Sequence, residues 1–194
     1  MRTAPHLLPL LLAALPMPAA GQAPPPSALP SEAQVVDRVV AVVGDRIITA
    51  SDVRLEQNLT VRGPSPVPML QRRQRASPEE MLIDAAVVRN LAGDIAIYAP
   101  STIDVQQRLA ALRATWPDDA SWQGFLDLHG MTAERLAGRL YSRLVVEAYV
   151  FRSVGLAAQT AGDSPEAADA RYRDWIAAER ARVDLRRVAP MEAP

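Results

Sequence analysis

Cysteine is absent from this chain of 194 residues, and all 21 basic residues are arginine. Without cysteine the protein has no disulfide, no thiolate nucleophile, no thiolate metal site and no lipid attached through an N-terminal cysteine. The fold must therefore be held by a hydrophobic core and by polar contacts. The apolar fraction of 49% and the charged fraction of 22% are ordinary for a globular protein, and the length favours one domain.

A large charge of one sign is lacking as well. Acidic residues number 22 against the 21 arginines, and the formal net charge is −1. The summed charge therefore produces no overall field that would attract nucleic acid or an acidic membrane surface. We expect no nucleic-acid partner.

Residues for catalysis or metal binding are scarce. The chain has two histidines, and His129 directly precedes Gly130, where a helix-end role explains it. No carboxylate cluster has metal-ligand spacing, no glycine-rich loop is typical of phosphate binding, and no serine lies in a nucleophile elbow. We therefore predict no catalytic residue, metal or cofactor, and a protein that works by surface contact.

The first residues predict export. Arg2 is followed by an apolar run from Leu7 to Leu15 and by a small-residue region from Pro18 to Ala23, which is the pattern of a secretory signal peptide. The run is shorter than the roughly 20 apolar residues that span a bilayer. We expect a cleaved signal over residues 1–23, with an uncleaved anchor as the alternative, then a proline-rich spacer over 24–34 and no stable membrane insertion.

A β-hairpin followed by a helix start is the most organised part of the sequence. Valine-rich residues from Val35 to Val43 predict one strand, Gly44 and Asp45 a two-residue turn, and Arg46 to Thr49 a second strand. Ser51 is predicted to cap the next helix, with Asp52 at its first position.

Apolar periodicity predicts a helical body after the hairpin. The region 35–155 is expected to form the main domain, 156–165 a polar linker, and 166–188 a helix and strand that pack back on the same domain, before a tail at 189–194. The fold class is therefore mostly α, with a small sheet formed by the N-terminal hairpin and a C-terminal strand. The predicted helices cover approximately 52–61, 78–95, 101–116, 118–129, 132–153 and 165–182.

Local signals refine this arrangement. Ser77 and Glu80 predict a capping box at the start of the core helix. The basic run from Gln71 to Arg75 is interpreted as a solvated loop, with an anion-binding site as the alternative. Trp175 lies on the apolar face of the last helix, and the strand that contains Leu185 is expected to pair beside the hairpin.

The stretch "VVDRVVAVVGDRIITASDV", from Val35 to Val53, resembles the opening of the SurA-like periplasmic chaperones. The stretch "ARYRDWIAAERARVDLRRV", from Ala170 to Val188, is similar to the last helix and strand of that family, and the likeness covers most of the chain between these two segments. The resemblance implies a SurA N-terminal-like helical module in the periplasm. It also implies ATP-independent binding of unfolded exported polypeptides, outer-membrane proteins in particular.

The chain departs from the family at one point. Members usually carry parvulin prolyl-isomerase domains between the long helix and the terminal helix, but here the interval from Gly155 to Pro165 is too short for a domain. Parvulin sites also use a pair of histidines. We therefore expect no isomerase activity, and an isomerase remains the weakest alternative.

The client-binding surface is harder to predict. Met69, Leu70 and Met131 are apolar residues in predicted loops or helix edges, and methionine suits an adaptable surface; packing at the rim of the core is the alternative for all three. A different function also stays open, namely a dedicated assembly subunit that binds one folded partner.

Overall fold

The computed structural model describes residues 37–188, and within this range the chain is mostly helical with one small sheet. The predicted fold class is confirmed. The predicted signal peptide, spacer and tail lie outside the described residues. The elements in chain order are β1 (Val39–Val43), β2 (Arg46–Thr49), α1 (Ala50–Arg62), α2 (Pro68–Ala76), α3 (Pro78–Ala92), α4 (Thr102–Arg113), α5 (Asp119–Leu128), α6 (Ala133–Val150), α7 (Leu156–Ala161), α8 (Pro165–Arg180) and β3 (Leu185–Arg187).

The sheet joins the two ends of the described chain. Its strand order is β2-β1-β3, and both pairings are antiparallel. Val43 pairs with Arg46 on one side and with Leu185 on the other, so the predicted docking of the C-terminal strand is confirmed. Gly44 has a φ of +59°, which suits the tight turn, and its N–H donates to the carbonyl of Asp184 at 2.8 Å.

The start of α1 corrects one prediction. Thr49, not Ser51, is the N-cap, and Asp52 is the third helical residue, which completes a capping box with Thr49. Strand β2 runs into the helix without a loop, so the last extended residue becomes the cap. The backbone N–H of Ser51 donates to Asp37 at 3.2 Å and its hydroxyl donates to the same carboxylate. Hydrogen bonds to Asp37, of which that from the Ser51 hydroxyl has the largest effect, lower its pKa from 3.8 to about 2.

The basic run from Gln71 to Arg75 is helical, so the predicted loop is wrong. Pro68 occupies the first turn of α2, where a missing N–H costs nothing. Leu70 and Gln74 face the interior on one side of the helix. Arg73 on another side donates to Asp84 at 2.8 Å and pairs with Glu80 at 2.9 Å. These long-range partners stabilise a helix that the local sequence does not predict.

Helix α3 is the centre of the core, as predicted, and Ile83 and Val87 are fully buried. Ser77 accepts a hydrogen bond from the Glu80 N–H at 3.2 Å, but the Glu80 carboxylate does not accept one from the Ser77 N–H, so the predicted capping box is incomplete. The Glu80 carboxylate binds arginines instead. The helix ends at Ala92 because Gly93 has a φ of +50°.

The predicted linker at 156–165 is also largely wrong. A π-helical turn from Phe151 to Gly155 continues α6 directly into α7, and the backbone stays right-handed helical on both sides of it. Ala158 is buried, and no strong helix breaker occurs before Gly162, which adopts a φ of +67°. Only residues 162–164 separate α7 from α8.

Two hydrophobic clusters meet at α6. The first lies between the sheet and helices α2, α3, α6 and α8, and Trp175 packs at its margin. The second lies between α1, α4, α5 and α6, where Trp116 and Phe125 pack with ring centroids 4.6 Å apart. Within residues 37–188 no helix is long and apolar enough to cross a membrane.

Candidate functional site

An open groove of about 170 Å³ lies between β2 and the helices α1, α3 and α6. Its apolar side chains come from both the strand and the helices, and arginines from all of these elements except α1 surround them. The groove therefore combines an apolar surface with cationic groups. The lining residues that the argument uses are Ile47, Ile48, Arg46, Arg89, Arg139 and Arg143.

The groove runs along the edge of the sheet. Side chains of successive strand residues point to opposite faces, and a groove lined by both Ile47 and Ile48 therefore reaches the edge of β2. Ile48 is buried, whereas Ile47 is 61% exposed. An isoleucine that remains this exposed offers apolar contact to a bound molecule.

The backbone of β2 is open on its outer side. Val43 and Arg46 flank the two-residue turn and form a hydrogen-bonded pair, so Val42 and Ile47 form the next, non-hydrogen-bonded pair. The N–H and C=O of Ile47 therefore point away from β1. Among residues 37–188 no other strand pairs with this edge. An extended polypeptide could add to the sheet here.

Two of the groove arginines have partners. Arg139 donates to Asp52 at 2.5 Å, and the Nε of Arg46 donates to the side-chain carbonyl of Asn90 at 3.2 Å. Each guanidinium retains further N–H groups beyond these contacts. The Nε of Arg89, in contrast, is buried and has no hydrogen-bond partner in the described part of the chain.

Arg143 is the most unusual residue of the site. Its side chain is 8% exposed, and its nitrogens lie 3.9 Å from Glu56 and 3.7 Å from Glu147, too far for hydrogen bonds. All three nitrogens are buried without a hydrogen-bond partner among the described residues. The charge of Arg143 is thus balanced by two carboxylates, but its N–H donors are unused.

Those two carboxylates are engaged elsewhere. Gln74 donates to Glu56 at 2.5 Å, and Arg108 donates to Glu147 at 3.0 and 3.3 Å. Burial raises the pKa of Glu56, although Arg143 and the hydrogen bond from Gln74 oppose this effect. The network connects four helices and places two carboxylates near Arg143, which lines the groove.

A second pocket of about 280 Å³ lies beside Gly63 and two prolines. Its two arginines are already used, because Arg62 donates to the carbonyl of Thr115 at 2.7 Å and Arg108 binds Glu147. No strand lines this pocket. It offers neither an open backbone edge nor an unused buried donor, so the β2 groove is the stronger candidate site.

A separate ionic cluster ties α8 to the body of the protein. Asp84 is fully buried and accepts hydrogen bonds from Arg73, Arg180 and Tyr172 at 2.8, 2.6 and 3.3 Å. Burial raises the pKa of Asp84, and the two arginines oppose that shift. All of its recorded partners belong to the protein, so we interpret this cluster as structural.

The predicted client-binding residues do not form the site. Met69 and Leu70 are buried within the first hydrophobic cluster, which makes them core residues of α2 and not a binding surface. Met131 is half-buried against the second cluster, away from the groove. Packing at the core, the alternative weighed from the sequence, explains all three positions.

The remaining signature residues have structural roles. Gly44 turns the hairpin, Leu185 pairs beside it, and Trp175 of α8 packs against the first hydrophobic cluster. Ser51 binds Asp37, and only Asp52 contributes to the groove lining.

Sequence reasoning missed Ile47, Arg89 and Arg143. Ile47 carried a partial signal, because two adjacent isoleucines in a strand point to opposite faces and only one of them can face the core. Nothing distinguishes Arg89 or Arg143 from the other arginines, since burial without a hydrogen-bond partner is a property of the tertiary structure.

His129 lies at the end of α5, as predicted, and its Nε2 is 2.9 Å from the side-chain amide of Asn58. Burial lowers the pKa of this imidazole, with a further contribution from Arg54. In the described range, no group of three or more histidine, aspartate or glutamate side chains has the geometry to hold a metal ion.

Comparison with known proteins adds no family assignment, because no protein-family model matches the chain and no curated protein is similar to it.

Proposed function

We propose that this protein binds unfolded exported polypeptides without ATP, as a periplasmic chaperone for outer-membrane clients, and that the β2 groove is its client-binding site. The observation that carries the proposal is the open edge of β2 beside an apolar groove. The resemblance of the hairpin and of the terminal helix and strand to SurA-like chaperones supports it independently.

The geometry suits a client of variable sequence. Main-chain hydrogen bonds to a strand edge do not depend on the client side chains, and the apolar lining accepts many of them. The outward edge of β2 is short, since the strand has only four residues. Few backbone bonds and a small groove favour modest affinity, which allows release of the client.

The proposal is tested by aggregation of an unfolded outer-membrane β-barrel, followed by light scattering with the mature chain in increasing excess. The wild type should slow aggregation. Ile47→Asp should weaken this effect several-fold, because it places a charge in the apolar groove. Val61→Asp is the matched control, because Val61 is 80% exposed on α1 and does not line the groove.

Two results would count against the proposal. The first is that wild-type protein has no effect at any concentration of the series. The second is that Ile47→Asp and Val61→Asp behave alike, in which case the groove is not the client-binding site.

A second candidate function is a dedicated interaction subunit with one folded partner. Exposed isoleucines occur close together in sequence before and at the start of α4, and Ile97 is 58% exposed. A pull-down that recovers one stoichiometric partner, lost in Ile97→Asp but retained in Ile47→Asp, would favour this function. The other two exposed isoleucines are Ile95 and Ile103.

Prolyl isomerase activity stays the weakest alternative. Residues 162–164 are the whole connection between α7 and α8, where the family carries its parvulin domains. We predict no acceleration of cis/trans exchange in a proline peptide, as measured by exchange spectroscopy.

A further inference from the structure

The charge of the β2 groove favours an anionic ligand. Four arginines line it, against the two carboxylates of Asp52 and Glu56 in the lining and that of Glu147 beside Arg143. Burial raises the pKa of Glu56, which makes its negative charge less favourable than that of an exposed glutamate. Arg143 is almost fully buried, so water screens its attraction for a negative group less than at the surface.

Arg143 supplies the donors for such a group. A guanidinium has five N–H donors, and buried donors without acceptors are costly. The carboxylates near Arg143 lie beyond hydrogen-bond distance and are held by Gln74 and Arg108. An acceptor on a bound molecule would satisfy the N–H donors of Arg143. A carboxylate matches the planar fork of a guanidinium best, because it can accept two parallel hydrogen bonds.

Arg89 adds a second, independent donor. It belongs to α3, whereas Arg143 belongs to α6, and both line the same groove. The buried Nε of Arg89 also lacks a hydrogen-bond partner among residues 37–188. Two cationic side chains on neighbouring helices thus line one cavity, and each has buried donors without a partner among the described residues.

The open edge of β2 indicates that the carboxylate belongs to an extended peptide. An extended peptide that pairs with the outward N–H and C=O of Ile47 lies along the groove, so its chain end can reach the arginines. We infer that the groove binds the free C-terminal carboxylate of a polypeptide through Arg143 and Arg89, with an apolar last side chain against Ile47. This inference rests on the proposed function and adds the recognised chemical group.

The test compares two forms of one peptide. A fluorescein-labelled peptide of sequence Ser-Val-Thr-Val-Leu is prepared with a free C-terminal carboxylate and with a C-terminal amide, and its binding to the full mature chain is followed by fluorescence anisotropy. We expect the amide to bind about tenfold more weakly, which corresponds to about 1.4 kcal/mol.

Variants assign this preference to the arginines. Arg89→Met should reduce the difference between the two peptide forms to less than about threefold, and Arg143→Met should do the same. Because Arg143 balances two buried carboxylates, circular dichroism checks that its variant is folded. If that variant does not fold, the half-buried Arg89 alone decides the test. Arg75→Met is the matched control, because Arg75 is exposed on α2 and outside the groove.

The outcomes separate this inference from the proposed function. If both peptide forms bind equally to the wild type, or if neither binds while aggregation of the β-barrel is still suppressed, the carboxylate inference is overturned and the chaperone proposal stands. If the wild type binds neither peptide and does not suppress aggregation, both the carboxylate inference and the chaperone proposal are overturned. If decanoate binds in competition with a fluorescent fatty acid while neither peptide binds, the groove holds a lipid carboxylate, which also overturns the inference.

Discussion

The buried carboxylate of Asp84 offers the sharpest test of what holds the fold together. Asp84 is fully buried in α3 and accepts hydrogen bonds from Arg73 on α2 and from Arg180 and Tyr172 on α8. Asp84→Asn keeps the shape of the side chain but removes its charge. The amide can also direct N–H groups at two guanidiniums, which have no acceptor to offer.

The expected loss is large. Removal of one partner of a buried ion pair typically costs 3–5 kcal/mol, and Glu80 compensates in part because it also binds both arginines, so we expect about 3 kcal/mol. For a domain of this size 1 kcal/mol shifts Tm by roughly 2–4 °C, so Tm should fall by roughly 6–12 °C.

Thermal and urea unfolding followed by circular dichroism measure this effect. Asp119→Asn is the control, since Asp119 forms an ion pair with Arg113 on the surface and its carboxylate is almost fully exposed. Exposed pairs contribute about 0–1 kcal/mol, so this variant should change Tm by at most a few degrees. Equal losses for the two variants would refute the view that the Asp84 cluster fastens α8 to the body.

Two further predictions concern the hairpin and the strand beside it. Thr49→Ala should destabilise the protein by about 1 kcal/mol in urea unfolding, because it removes the α1 cap. Because the pKa of Asp37 is lowered from 3.8 to about 2, its contribution to stability is present above pH 3.8 and is lost as the pH falls toward 2; Ser51→Ala should flatten this acid dependence, and identical pH profiles would contradict the assignment. Leu185→Asp should lower Tm, because Leu185 pairs with Val43 and packs against the first hydrophobic cluster, whereas an unchanged Tm would show that β3 does not support the fold.

The N-cap of α1 is Thr49, although the sequence predicts Ser51. Both Thr49 and Ser51 are good N-cap residues, and each stands near an aspartate. The choice between them depends on where β2 ends, which is set by its register with β1. That register depends on the pairing of β1 with β2 and cannot be predicted from the residues around the cap alone.

The helix at Leu156–Ala161 was misassigned for a related reason. Its alanines and polar residues are typical of a linker as well as of a helix, and local sequence does not separate the two. Burial of Ala158 and the continuous backbone from α6 favour the helix. Packing against the rest of the protein thus overrides a weak local preference.

The local features of this protein follow from its amino-acid sequence. Gly44 turns the hairpin at a positive φ, and apolar periodicity specifies most of the helices. The segment from Val183 to Val188 is long enough for one strand that contains Leu185. These properties depend on neighbours a few residues apart. The candidate site, in contrast, exists only in the folded protein. Arg89 and Arg143 come from different helices, and they become unused buried donors only when folding places both beside the edge of β2.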